Sequence, residues 1–96
     1  SRPAKVPLTV SATRSGGDVV ISLRNPTKQV AFFDRAEVTA TRDGDEVLPI
    51  IYDDNYVTVF PGEAVDVRAT LPSGSAPADW VRVTGYNSAP VVAPIS

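Results

Sequence analysis

The chain has 96 residues, nine of them Lys or Arg and eleven Asp or Glu, for a formal net charge of -2. It holds neither histidine nor cysteine, which removes the usual neutral-pH base, every Ser–His or Cys–His dyad, disulfides and thiolate metal sites. The mild charge offers no footprint for a phosphate backbone, which argues against nucleic acid as a partner, and no apolar run approaches a membrane span or signal-peptide core.

This length gives one domain with a modest core. The absence of methionine fits a processed product or a piece excised from a longer polypeptide. Residues 1–7, with Pro3 and Pro7, read as an extended interdomain linker. Residues 8–12 then alternate, with Leu8, Val10 and Ala12 on one face. Ser15-Gly16-Gly17-Asp18 marks a turn, and residues 19–24 form the next strand, with Val19, Ile21 and Leu23 pointing inward. Asn25-Pro26 ends it, because proline lacks a ladder donor and restricts the residue before it.

The third strand, residues 31–41, places Phe32, Ala36, Val38 and Ala40 on one face. Asp34 interrupts that face and implies a bulge or an edge position. Arg42-Asp43-Gly44-Asp45 is an Asp-Gly hairpin turn returning into residues 46–52, where Pro49 points to an edge strand or a break. Two turn clusters, Asp53-Asp54-Asn55 and Pro61-Gly62-Glu63, clip a short alternating strand at 56–60. Residues 64–71 turn Val65, Val67 and Ala69 inward, and 72–77 form a loop. The last clear strand, 78–86, carries Val81, Val83 and Gly85 on one face and Trp80, Arg82, Thr84 and Tyr86 on the other. Residues 89–96 are a proline-interrupted tail or edge segment.

About seven or eight short strands at near-regular spacing, with no helical period, predict an all-β, immunoglobulin-like two-sheet Greek-key sandwich over residues 8–88. A small barrel is the alternative. The Cys-Trp-Cys pin of antibody domains is missing, so the likeness is one of architecture.

Paired carboxylates are the only catalytic chemistry this composition offers. Glycoside hydrolysis needs two, about 5–10 Å apart, one with a raised pKa. Asp53 or Asp54 with Glu63 would be the pair, but carboxylates in turns lack the apolar wall that raises a pKa. The bland reading therefore stands: Asp53, Asp54 and Asn55 cap a turn, and Glu63 attends the Pro61-Gly62 turn. The same cluster offers oxygens for calcium without the spacing of a calcium-binding loop. No metal or cofactor is expected. Trp80, Arg82 and Tyr86 make a candidate contact patch, for a partner domain or a glycan, with core or edge packing as the competing explanation. Tyr52 and Tyr56 make a second, against the alternative of a corner tyrosine bonded to backbone.

Four blocks, in order, resemble a known family. Leu23-Arg24-Asn25-Pro26-Thr27 with Ala31-Phe32-Phe33, then Glu46-Val47-Leu48-Pro49, then Asp53-Asp54-Asn55-Tyr56 through Pro61-Gly62-Glu63, and Val81 through Asn87 are similar to the C-terminal immunoglobulin-like domain of glycoside hydrolase family 2 enzymes. The enzymes concerned are of exo-β-glucosaminidase and β-mannosidase type. The resemblance implies a secreted parent hydrolase, retaining at the cleaved bond, in which this module packs on a (β/α)8 catalytic barrel and other domains. It carries over no catalytic residue, so the chain alone is expected to be a non-enzyme and a monomer. The alternative is an autonomous carbohydrate-binding or fibronectin-like adhesion module.

Overall fold

The computed structural model describes residues 5–47, 50–73 and 77–96. Among them run β1 (Thr9–Ser15), β2 (Asp18–Arg24), β3 (Ala31–Thr39), β4 (Ile51–Tyr52), β5 (Val57–Val59), β6 (Ala64–Thr70), β7 (Trp80–Thr84) and β8 (Val91–Pro94). They build two four-stranded sheets, β1-β2-β6-β4 and β5-β3-β7-β8, in which every strand pair is antiparallel. This is the four-plus-three strand order of an immunoglobulin sandwich, with β5 added outside β3. No barrel closes.

The alternation read from the sequence drives the assembly. Val19, Ile21 and Leu23 of β2 are at most 1% exposed, as are Val81 and Val83 of β7. Each such aliphatic side chain contributes roughly 1.5–3 kcal/mol by leaving water. β2 pairs with β6 over its whole length, from Asp18 opposite Thr70 to Arg24 opposite Ala64, which brings Val67 and Ala69 into the same core layer.

Residues 1–4 of the expected linker lie outside the described residues, and the described segments at both ends are tied in. Val6, assigned to a linker by its prolines, is buried, donates its N–H to the Asn87 carbonyl at 2.7 Å, and accepts from Ala89 at 3.0 Å. The tail resolves as an edge strand, β8, on β7. Beyond it, Ser96 N–H donates to the Ala12 carbonyl and Arg14 N–H to that of Ser96, both at 3.0 Å. The chain end thus covers an edge of β1 that would otherwise expose unpaired backbone groups.

β3 departs from the expected phase. It ends at Thr39, and between Ala31 opposite Val59 and Asp34 opposite Val57 it carries one residue more than β5. Phe33 sits at φ 54° within that interval, a left-handed conformation that costs a bulky residue of order 1–2 kcal/mol. The bulge shifts the parity of the strand. Asp34 keeps the inward parity of Ala36 and Val38, whereas before the bulge Ala31 takes the buried side and Phe32, expected to face the core, is exposed together with Phe33.

A turn does reverse the chain after β3, but it spans Thr41–Gly44, with Gly44 N–H donating to the Thr41 carbonyl. Gly44 is thus its last residue and not the centre of an Asp-Gly turn, and an isolated Thr39–Glu46 bridge follows. Of the two readings for residues 46–52, an edge strand or a break, the described residues show two pieces: Glu46 bridged to Thr39 on β3, and Ile51–Tyr52 paired with β6. Leu48 and Pro49, and residues 74–76 of the expected loop, lie outside the described residues.

Candidate functional site

The two turn clusters flank β5 (Val57–Val59) and bond different partners. Pro61-Gly62 makes a type II turn: Glu63 N–H donates to the Phe60 carbonyl at 3.0 Å, and Gly62 takes φ 75° at the position that requires it. The Glu63 carboxylate accepts from Phe60 N–H at 3.2 Å, so it serves the turn. Asp53 exchanges two bonds with Arg68, its N–H to the Arg68 carbonyl at 3.0 Å and its Oδ1 accepting Arg68 N–H at 2.8 Å. Asp53, Asp54, Asn55, Pro61, Gly62 and Glu63 are all exposed. Among the described residues no group of three or more His, Cys, Asp or Glu gathers as a metal site.

Tyr52 crosses between sheets. Its half-buried hydroxyl accepts from Val38 N–H on β3 and donates to Glu46, both at 2.9 Å. Val38 already accepts from Val47, so the phenol completes the outer edge of β3 past the end of β5. Burial pushes the Tyr52 pKa well above 10, and the bond to Glu46 adds to the rise against the opposing bond from Val38.

The outer face of β3 and β7 is an ion-pair lattice. Arg35 meets Glu37 at 3.2 Å and Glu46 at 3.0 Å, while Arg82 meets Glu37 at 3.5 Å and donates to the Gly44 carbonyl at 2.8 Å. Arg82 is therefore engaged within the fold. Trp80 is half-buried between Thr39 and Pro94 on the neighbouring strands. β7 ends at Thr84, so Trp80 opens the strand and Tyr86 lies past its end, with its N–H bonded to the Phe32 carbonyl at 3.0 Å. Tyr86 therefore leaves the strand that carries Trp80 and Arg82.

A different set comes together. Phe33, Arg35, Tyr56, Thr84, Gly85 and Tyr86 line an open cleft of about 340 Å³. Tyr86 is 81% exposed, and Phe33 and Tyr56 are each 60% exposed. The ring of Phe32 lies 6.1 Å from that of Phe33. No aromatic residue of the chain belongs to the buried core, which is built from Val, Ala, Leu and Ile.

Beneath this cleft lies the group the sequence flagged only as an interruption. Asp34 is 1% exposed, accepts a short hydrogen bond from the Ser88 hydroxyl, and leaves Oδ2 buried without a partner. Desolvation raises its pKa, against the lowering effect of Ser88. Sealed from solvent, it reaches no substrate. Gly85 is what admits it, because a Cβ there would collide with the carboxyl group.

Two asparagines that sequence reasoning passed over as turn residues splice distant segments. Asn25 is fully buried and donates to the carbonyls of Gln29 at 2.6 Å and Val59 at 2.9 Å. Its backbone bonds Glu63 and Gly62. Asn87 accepts from Phe32 N–H and donates to the Val30 carbonyl, both at 2.8 Å. The usable signal was the co-occurrence of one Asn-Pro, one Pro-Gly-Glu and one Gly-Tyr-Asn block in a single short chain.

Comparison with known proteins agrees with this geometry. Residues 2–88 match the family model described as the exo-beta-D-glucosaminidase Ig-fold domain. The chain is 37% identical over 67 residues to an exo-beta-D-glucosaminidase of Arthroderma benhamiae, covering 70% of this chain and 7% of that protein. It superposes on the Amycolatopsis orientalis exo-chitosanase CsxA with a TM-score of 0.77 at 25% identity, covering 95% of this chain and 12% of that one. An archaeal flagellum chain of Methanospirillum hungatei, at a TM-score of 0.51 and 17% identity, shares the fold alone. On the match across residues 2–88, this chain belongs to the exo-beta-D-glucosaminidase Ig-fold domain family.

Proposed function

We propose that this domain is a non-catalytic part of a larger secreted glycoside hydrolase of exo-β-glucosaminidase type, where it packs on and supports a (β/α)8 catalytic barrel. One observation carries the reading: the chain matches a fungal exo-beta-D-glucosaminidase at 37% identity yet spans only 7% of its length. The chemistry supports it. Asp53 is held by the Arg68 backbone on β6, Glu63 serves the Pro61-Gly62 turn, and Asp34 is walled in. A retaining mechanism, and glucosaminide or mannoside as substrate, belong to the parent's barrel.

The test is made on the parent polypeptide with and without these residues, assayed for release of the terminal sugar from chitosan oligosaccharides and β-mannosides. Loss of activity or of thermal stability on deletion is the expected result. Glycoside turnover by the purified 96-residue chain overturns the reading.

A second reading, an autonomous carbohydrate-binding module, has the exposed rings of Tyr56 and Tyr86 in its favour. Saturable NMR shifts around those residues with chitosan oligosaccharides or mannosides would establish it.

A further inference from the structure

We infer that the cleft framed by Phe33, Tyr56 and Tyr86 is the face through which this domain docks onto an uncharged, apolar surface elsewhere in its own polypeptide. The inference rests on the accessory-domain reading above and names the face that reading requires.

Three observations carry it. Of the large apolar side chains, Phe33, Tyr56 and Tyr86 are among the most exposed and share one cleft. Each such ring carries on the order of 150–250 Å² of surface, so together they reach the few hundred Å² at which an exposed patch marks a contact site. Second, Phe33 reaches the cleft from a bulge, in a backbone conformation unfavourable to a bulky aromatic residue. Strain of that kind persists where the surrounding structure enforces it and clusters at functional positions. The enforcement is visible: Phe32 is held on both sides of its peptide, its N–H by Asn87 and its carbonyl by Tyr86 N–H at 3.0 Å.

Third, the charges select the occupant. Arg35 is the single charged residue lining the cleft, and Glu37 and Glu46 already neutralise it. No carboxylate lines the cleft to receive the ammonium group of an amino sugar, which disfavours a cationic glycan. A neutral, aromatic, open surface suits a protein partner. The relatives supply one in cis, since this fold accounts for 12% of the chain in the exo-chitosanase structure.

The experiment uses the full parent polypeptide with the photoreactive residue p-benzoylphenylalanine in place of Tyr86, of Tyr56, or of exposed Thr13 on β1 as a control. An aromatic replacement at two exposed tyrosines leaves the core untouched. The expected result is an intramolecular cross-link from positions 86 and 56 to peptides outside these 96 residues, identified by mass spectrometry, and none from position 13. Cross-links confined to this domain, cross-linked dimers of the parent, or equal yields from position 13 overturn the inference. If they fail while deletion of the domain still lowers parent activity, the accessory reading stands and only the docking face is wrong. If deletion is also silent, the accessory reading fails with it.

Discussion

The side-chain amide of Asn25 donates to the carbonyl of Val59 at 2.9 Å, across 34 residues of sequence. One residue at the end of β2 thereby fixes the end of β5 in the opposite sheet. Its Oδ1 accepts from Thr27 N–H at 2.9 Å and from the Thr27 hydroxyl at 2.6 Å, so both ends of the amide are used. Replacing Asn25 by Ala strands the Val59 carbonyl and costs about 2–4 kcal/mol. Asp, which fits the space but cannot donate, is expected to cost nearly as much. Urea denaturation read by fluorescence checks both, as a lower midpoint at unchanged slope.

Tyr52→Phe removes only the hydroxyl that Val38 N–H and Glu46 share. The expected loss is about 1–3 kcal/mol, because a strand N–H is left without its acceptor. The raised pKa of Tyr52 has a sign. Its stabilisation is fully present below the unfolded value near 10 and is lost as pH rises through the higher folded value. Alkaline unfolding above about pH 10 should therefore steepen in the wild type and flatten in Tyr52→Phe.

Asp34 runs the same way at the acid end. Burial raises its pKa from 3.8, so its stabilising contribution is complete below that value and disappears as pH climbs through the folded one. Asp34→Asn keeps an acceptor for Ser88 and abolishes the charge. The variant should be more stable than wild type at pH 7, with the difference shrinking towards zero near pH 3. Thermal unfolding across that range decides it, and a constant difference would rule the account out.

Gly85→Ala drives a methyl group into the Asp34 carboxyl and to within 3.0 Å of the Ser88 hydroxyl. The expected cost is about 1–3 kcal/mol of overpacking. In the double variant with Asp34→Ala the obstacle is gone, so the two changes should sum to markedly less than their separate costs. A double-mutant cycle on denaturation free energies measures that coupling.

Much of the fold was legible before any coordinates. The inward faces of β2 and β7 follow from strict alternation at Val19, Ile21 and Leu23 and at Val81 and Val83, since a strand buries every second side chain. The Pro61-Gly62 turn follows equally from local backbone preference, as does a chain reversal near Asp43-Gly44, although its turn type differs. The candidate site was less legible. Tyr56 and Tyr86 were singled out, but Tyr86 was grouped with Trp80 by parity along a strand that stops at Thr84. Phe32 was assigned inward by counting in steps of two across a bulge.

By itself, then, the sequence determined the class of architecture and its lack of histidine and cysteine chemistry, because alternation, turn preference and composition are local properties that no partner alters. Tertiary structure alone decided which strands pair, that Asn25 and Asn87 splice segments far apart in the chain, and that Phe33 meets Tyr56 and Tyr86 at one cleft. Those outcomes depend on register between distant segments. A single extra residue in β3 opposite β5 is enough to send Phe32 outward and put Ala31 in the core.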